Sequence, residues 1–375
     1  MKFLLLVRPA LLAVLAILSV SLSAGISRAE VSATDVLGRT VTLPEPAKRV
    51  VLSFYYEDFI AITGPGAMDR VVGVSLSPWK DWRPNQYAAY LNAIPSIADL
   101  PDVGDTENGT FSIEKVISLK PDLVVLAAWS WNALGENVEQ FEQAGIPVVV
   151  LDYNAQTLEK HVASTLALGK LMGTEDRAEK LAADYKAQYG DTMARVAKAG
   201  PSPNKVYVEL AQKGPGTIGN SYGNGMWGTV IESVGGTNIA KGQVENWGPL
   251  NPEYVIAQQP DIILLAGSEW VNKPEAVLVG FGADPKLAQE RMAAYLTRAG
   301  WSDLPAVKTG NVHAIYHGGA RTLSDFIYGR YIAKLVHPEA FADVDPAAEI
   351  KAYYDEWLPI KADGIYVMPI SNTVN

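Results

Sequence analysis

The order of apolar and amphipathic segments predicts an α/β protein of two lobes, each with a mainly parallel sheet flanked by helices, joined by a single long connector helix. Three observations carry this. Short apolar, β-branched runs alternate with helical stretches, the pattern of βαβ units. The segment Ser112–Ala128 recurs 139 positions later. A long stretch with helical spacing lies between the two copies and ends at Gly200-Pro201-Ser202-Pro203.

The strands are expected at Arg49–Ser53, Arg70–Val74, Leu123–Ala127, Pro147–Leu151, Lys205–Leu210, Ile262–Ala266 and Val312–Tyr316. Their near-continuous apolar character suits strands covered on both faces. The central helical stretch runs from Thr157 to Ala199, with apolar positions at Leu166, Leu168, Leu171, Ala178, Leu181, Tyr185 and Met193 and a break near Gly173-Thr174. A connector made of helix is stiffer than a Gly/Ser linker and limits relative motion. The repeat pairs SIEKVISLKPDLVVLAA (Ser112–Ala128) with NPEYVIAQQPDIILLAG (Asn251–Gly267) without gaps. Each copy reads as a helix with Glu114 or Glu253 in its first turn, a Pro-Asp turn, then a buried strand. A first-turn Glu complements the helix dipole and Pro ends the helix, but the same spacing twice in one chain favours duplicated architecture. The expected divisions are residues 1–29, 30–156, 157–199 and 200–375: leader, first lobe, connector and second lobe.

The leader follows from Lys2 and Arg8, an apolar run from Leu11 to Val20, and Ser27-Arg28-Ala29 at a signal-peptidase site. That run is shorter than the ~20 residues that span a bilayer. Cleavage after Ala29 leaves 346 residues, enough for two domains. Loss of Lys2, Arg8 and Arg28 takes the formal charge from −10 to −13, which repels phosphate backbones and argues against nucleic acid. The chain has no cysteine, so it relies on its cores rather than on disulfides and has no site for a lipid-modified cysteine. A free periplasmic location is expected.

Several stretches together, DVLGRTVTLPEPAKRVVLSFYYEDFIAITG, VGDTENGTFSIEKVISLKPDLVVL, GTVIESVGGTNIA, ENWGPLNPEYVIAQQPDIILL and KTGNVHAIYHG, resemble the periplasmic substrate-binding proteins of ABC importers for iron–siderophore complexes, haem and cobalamin. The resemblance covers nearly all of the mature chain. It implies two α/β lobes joined by one long helix, a ligand in the cleft between them, modest closure, and a permease dimer as partner to a monomeric binding protein with no cofactor of its own. It also implies that Glu114 and Glu253 dock onto arginines of the permease, although the helix dipole alone explains an exposed acid at a helix start. The expected cargo is a ferric siderophore or haem; a small oxyanion such as molybdate or tungstate, or cobalamin, is the alternative.

Open α/β sheets place ligands at the carboxyl ends of strands, and the loops there are rich in aromatics. The residues expected at the cleft are Tyr55 and Tyr56 beside Phe54, Trp79 and Arg83 beside Lys80 and Trp82, Trp129 and Trp131, and, from the second lobe, Asn220, Tyr222, Trp227, Trp247, His317 and Arg321. Trp and Tyr offer rigid faces with a polar tip, and arginine pairs with carboxylates or the charge of a chelate. Any one of these aromatics is as readily core as cleft. No bare metal site is expected, since His313 and His317 are about 13 Å apart along a strand at ~3.3 Å per residue and His161 and His337 lie elsewhere. GNSYG (Gly219–Gly223) fits G-x-S-x-G and leaves an exported hydrolase using Ser221 as the alternative class, but glycines replace the strand and helix that a nucleophile elbow needs. GPGTIG (Gly214–Gly219) lacks the helix of a dinucleotide site; the stretch is expected to be a flexible loop near the ligand.

Overall fold

Four parallel strands lie side by side in the first half of the computed structural model, which describes residues 30–371: Val71–Val74, Val50–Leu52, Leu123–Ala127 and Val148–Leu151. The second half repeats that order with Thr237–Asn238, Lys205–Leu210, Ile262–Gly267 and Val312–Tyr316, all parallel, and adds Val367–Pro369 antiparallel at the edge. Counted within each half, both sheets run second, first, third, fourth. All seven expected strands are present within one residue at each end. The central strands have every residue buried, because helices cover both faces and leave no polar side to alternate with. The expected leader lies outside the described residues.

The duplicated Pro-Asp turn has a structural task. Asp122 accepts the N–H groups of Lys48 (2.9 Å) and Arg49 (2.9 Å) at the start of the neighbouring strand. Asp261 accepts that of Lys205 (2.9 Å) in the same place in the other sheet. In return the Asp122 and Asp261 N–H groups donate to the carbonyls of Arg49 and Lys205. Each carboxylate thus pins the register of its sheet where it starts.

The expected break near Gly173-Thr174 is present, and the expected connector, residues 157–199, requires a correction. It is two helices, Leu158–Met172 and Glu175–Ala199, separated by Gly173 at φ +68°. Positive φ is open to glycine at little cost, and the first helix ends there with a left-handed cap. Leu158–Met172 packs on the first lobe, so the connector is Glu175–Ala199 alone. The two helices touch closely: a Cβ on Gly169 would sit 2.2 Å from that of Ala178. From the connector, Arg177 donates to Ala61 O (2.7 Å) in the first lobe and to Trp357 O (2.8 Å) in the helix Pro346–Trp357. Arg330 of the second lobe donates to Gln188 (2.7 Å). Tyr354, also in Pro346–Trp357, donates to Glu57 (2.6 Å) of the first lobe. The chain beyond residue 200 therefore closes back on the first lobe.

The Gly-rich stretch before Asn220 is also not free. Arg298 donates to Pro215 O (2.8 Å), Gly214 O (3.2 Å) and Thr217 O (2.8 Å) while forming a two-point pair with Glu209. Its guanidinium organises the loop that leads into Asn220–Tyr222. That short strand pairs antiparallel with Trp247–Pro249.

Candidate functional site: the cleft between the lobes

In both sheets the chain leaves the first and third strands in opposite directions, which opens a crevice at their carboxyl ends. Phe54 and Tyr55 follow Val50–Leu52. Trp129 lies in the first turn of Ala128–Leu134, directly after Leu123–Ala127. Trp82 and Arg83 follow Val71–Val74 across the turn Ser77–Lys80. Facing them from the second lobe are Tyr222, the turn His317–Arg321 after Val312–Tyr316, and Glu269 after Ile262–Gly267.

The Phe54 ring is the centre of this group. Trp129 meets it edge-on at 5.2 Å and Trp82 lies 6.4 Å away. Arg83 of the first lobe sits 5.8 Å from its centroid and Arg321 of the second lobe 5.6 Å. Arg321 is also 5.8 Å from the Trp82 ring. Two guanidinium groups from opposite lobes thus flank one apolar ring.

Like charges in a place of low polarity repel. Arg83 is 6% exposed. Burial, then the charge of Arg83, pulls Arg321 down to about 10, which leaves it protonated at neutral pH. Arg83 Nη2, Arg321 Nε and Trp129 Nε1 are buried with no hydrogen-bond partner among the described residues. Buried donors are normally paired, so the cleft carries both unmet donors and a pair of like-charged guanidinium groups, partly offset by Glu57 and Glu269 near Arg83 and by Glu107 near Arg321. An anion with several acceptor atoms satisfies both.

His317 is neutral here, since burial and the two arginines push its pKa well below the usual value. Its Nδ1 accepts the Trp227 indole N–H (3.2 Å), which leaves Nε2 as the protonated nitrogen. Tyr222 lies 5.8 Å from the His317 ring. Tyr55 holds a left-handed backbone (φ +57°), costly for a tyrosine; its hydroxyl donates to Asn154 (2.9 Å) and accepts from Tyr153 N (3.2 Å).

Several residues expected at the cleft lie elsewhere. Trp79 is fully buried, stacked on Tyr56 at 4.5 Å, and the Tyr56 hydroxyl donates to the carbonyls of Ser53 and Ser75. Both belong to the first-lobe core. Trp131 is two residues from Trp129 on a helix, so the two side chains point to different faces. It carries the Arg39 guanidinium 3.9 Å above its ring, in a groove of about 540 Å³ away from the cleft. Trp227 is wholly buried behind His317, against Tyr328. Trp247 is 65% exposed, but it pairs in register with Tyr222 and so shares that face of the ribbon at the cleft rim. Asn220 is buried in the same ribbon, and Lys80 is exposed. Ser221 lies inside that ribbon; the next helix begins only at Met226, so no elbow forms. Glu114 and Glu253 are exposed in first helical turns, beside the capping residues Ser112 and Asn251. Among the described residues no group of three or more His, Asp or Glu is placed to hold a metal ion. Glu269 escaped sequence reasoning, although its place just after a third strand was a usable signal.

Buried carboxyls join the lobes near this cleft. Glu57, Asp58, Glu269 and Asp325 all have pKa values raised above the ordinary range, chiefly by burial. A raised folded pKa stabilises below the unfolded value, and that contribution is lost as pH rises through the folded one. Asp58 Oδ1 accepts Leu323 N (2.7 Å), while Oδ2 has no partner among the described residues. Asp58→Asn keeps that bond without a charge. It is expected to flatten the fall in Tm from the ordinary carboxylate range up through neutrality, and to raise Tm at the alkaline end. Thermal melts across that range measure it; an unchanged slope would mean that Asp58 does not titrate in the window.

Two α/β lobes of like topology, a stiff helix between them and a cation-bearing crevice define a solute-binding protein. Residues 50–316 match the family model described as periplasmic binding protein, and the chain belongs to that family. It is similar to the solved TroA-like periplasmic binding protein FepB of Veillonella parvula, with 34% identity, 91% of this chain and 100% of that one covered, and a TM-score of 0.86. The molybdate-binding protein MolA of Haemophilus influenzae is 25% identical over 86% of this chain and 90% of its own. A vitamin B12-binding protein of Pectobacterium atrosepticum is 25% identical over 52% of this chain and 64% of its own. These relatives are solute-binding proteins, not enzymes.

Proposed function

We propose that this chain captures an anionic iron chelate (a ferric siderophore or haem) in the periplasm and delivers it to an ABC permease dimer. The observation that carries the reading is the pair Arg83 and Arg321, converging from opposite lobes with unmet donors on a wall of Phe54, Trp82, Trp129 and Tyr222. The guanidinium groups meet the acidic edge of the chelate and the rings take its planar or macrocyclic body. Cobalamin, whose bulk is neutral, gives two buried cations little to do.

A small oxyanion is the second reading. Arg321 lies against first-lobe rings at under 6 Å, a spacing that suits a compact ligand, and MolA is a molybdate-binding relative. Protein purified from its own periplasm separates the two. A Soret or charge-transfer band with a matching mass in native mass spectrometry supports the chelate. A bound tetraoxoanion without visible absorbance overturns it.

Docking through Glu114 and Glu253 is tested apart from capture. The double variant Glu114→Ala/Glu253→Ala is expected to bind its cargo as the parent does and to lose most import in reconstituted vesicles. Truncating one partner of a buried interfacial charge pair costs ~2–5 kcal/mol. Unchanged import would leave both acids as helix-dipole partners only.

A further inference from the structure

We infer that Glu269 of the second lobe is a positioning residue for Arg83 of the first, so that the first lobe's cation is aimed only when the lobes are apposed. The inference rests on the reading that Arg83 meets the charge of the cargo.

The helix Pro84–Ala93 starts immediately after Arg83. Pro84 has no N–H, and Arg83 supplies no side-chain cap of its own. The next two N–H groups, of Asn85 and Gln86, both donate to Glu269 Oε2, at 2.9 and 3.0 Å. Capping is ordinarily local, from a Ser, Thr, Asp or Asn at the helix start. Here it comes from more than 180 positions away, across the cleft. The other oxygen, Oε1, accepts Phe281 N (3.2 Å) and the Tyr316 hydroxyl (3.2 Å), both of the second lobe. One carboxylate oxygen therefore belongs to its own lobe and the other to the opposite helix, whose positive end favours the charge. Asn85 Nδ2 adds a further cross-lobe bond to Phe281 O (2.7 Å). Room for the carboxylate is made at Gly280 (φ +119°), where a Cβ would come within 2.9 Å of Glu269 and 2.7 Å of the Tyr316 ring.

Fixing Asn85 and Gln86 fixes Arg83. A residue before proline has a restricted backbone, so the start of the helix sets the direction in which the guanidinium leaves. When the lobes part, Glu269 withdraws from the two N–H groups, they pass to water, and Arg83 loses its cross-lobe support, keeping only the first-lobe bonds of its N–H to Trp79 O (3.1 Å) and its carbonyl from Tyr87 N (2.9 Å). Closure and presentation of the first-lobe cation become one event. Glu269→Gln is close to isosteric but must turn an NH₂ group toward one of its two sets of donors, which breaks half of the bridge.

The test is a double-mutant cycle on wild type, Glu269→Gln, Arg83→Met and the double variant. Haemin, a ferric tris-catecholate and molybdate serve as probes, read by intrinsic Trp fluorescence, with thermal melts to confirm folding and small-angle scattering for the radius of gyration. Arg83→Met is expected to weaken the best-bound probe about ten- to a hundredfold, and Glu269→Gln about tenfold, equal to 1.4 kcal/mol. The double variant is expected to be no weaker than Arg83→Met alone, since contacts that act through one another are not additive. Glu269→Gln, and not Arg83→Met, is expected to enlarge the radius of gyration. Additive losses, or unchanged affinity and radius in Glu269→Gln, overturn the positioning role. Arg83→Met without effect on any probe overturns instead the anion reading on which it rests. If Glu269→Gln does not fold, Glu269→Asp, which shortens the reach across the cleft, gives the same comparison.

Discussion

Arg321→Ala is expected to weaken binding of an anionic cargo by about ten- to a hundredfold, because hydrogen bonds to a charged group contribute about 1.5–3 kcal/mol. The variant should fold as the parent does. Arg321 has an unpartnered Nε and stands near the like charge of Arg83, so its removal relieves that repulsion, offset in part by the lost attraction of Glu107. Thermal melts are therefore expected to show equal or slightly higher stability while affinity collapses, a split that a structural arginine does not give. The aromatic residues then separate the cargoes. For a chelate, Tyr222→Ala or Trp247→Ala costs a comparable amount through lost stacking and apolar burial. For a tetraoxoanion these changes matter little, and small donors such as Asn220 dominate. Titration with ferric siderophores, haem and molybdate reads the difference. Tight molybdate binding that ignores both aromatic changes ends the chelate reading, and indifference of every bound probe to Arg321, Tyr222 and Trp247 ends the assignment of the cleft.

Arg298→Met is expected to destabilise the protein by about 3–5 kcal/mol, the cost of leaving one member of a buried ion pair uncompensated. The Glu209 side chain is fully buried and that of Arg298 is 6% exposed. Glu209 also accepts the Tyr207 hydroxyl (2.9 Å) and Gly219 N (2.7 Å), so its charge is tied to the loop that Arg298 binds by three carbonyls. The guanidinium lies 4.5 Å from the Tyr295 ring and 4.8 Å from that of Trp301. Denaturant unfolding measures the loss. Pairing Arg298→Met with Glu209→Leu should recover part of it, since no buried charge is then stranded. Equal losses in the single and double variants would show that the loop's carbonyl bonds, rather than the stranded charge, set the cost. Either way, the short strand Asn220–Tyr222 loses its anchor, and cargo affinity is expected to fall with stability.

The seven core strands, the duplicated Pro-Asp units and the central helical segment were legible from residue pattern. Each is decided by neighbours in the chain: a strand covered on both faces must be apolar throughout, and a helix must stop at proline. The break at Gly173 was visible too, but not its consequence, that Leu158–Met172 belongs to the first lobe. That depends on what the helix packs against. The cleft was legible only as a set of loops. Trp129 and Trp131 read alike in sequence, and a helix turning between them sent one to the Phe54 ring and the other beneath Arg39. Trp79 and Trp227 had the composition of a binding wall and became core. A large aromatic serves both uses, and the choice rests on distant partners.

Composition, periodicity and repeat thus determined the two-lobed architecture on their own, because helices and strands answer to local spacing. Only the tertiary structure brought Arg83, Arg321 and Glu269 together. Charges far apart in the chain meet through the apposition of two lobes, and the field they create at one ring has no counterpart in any stretch of sequence.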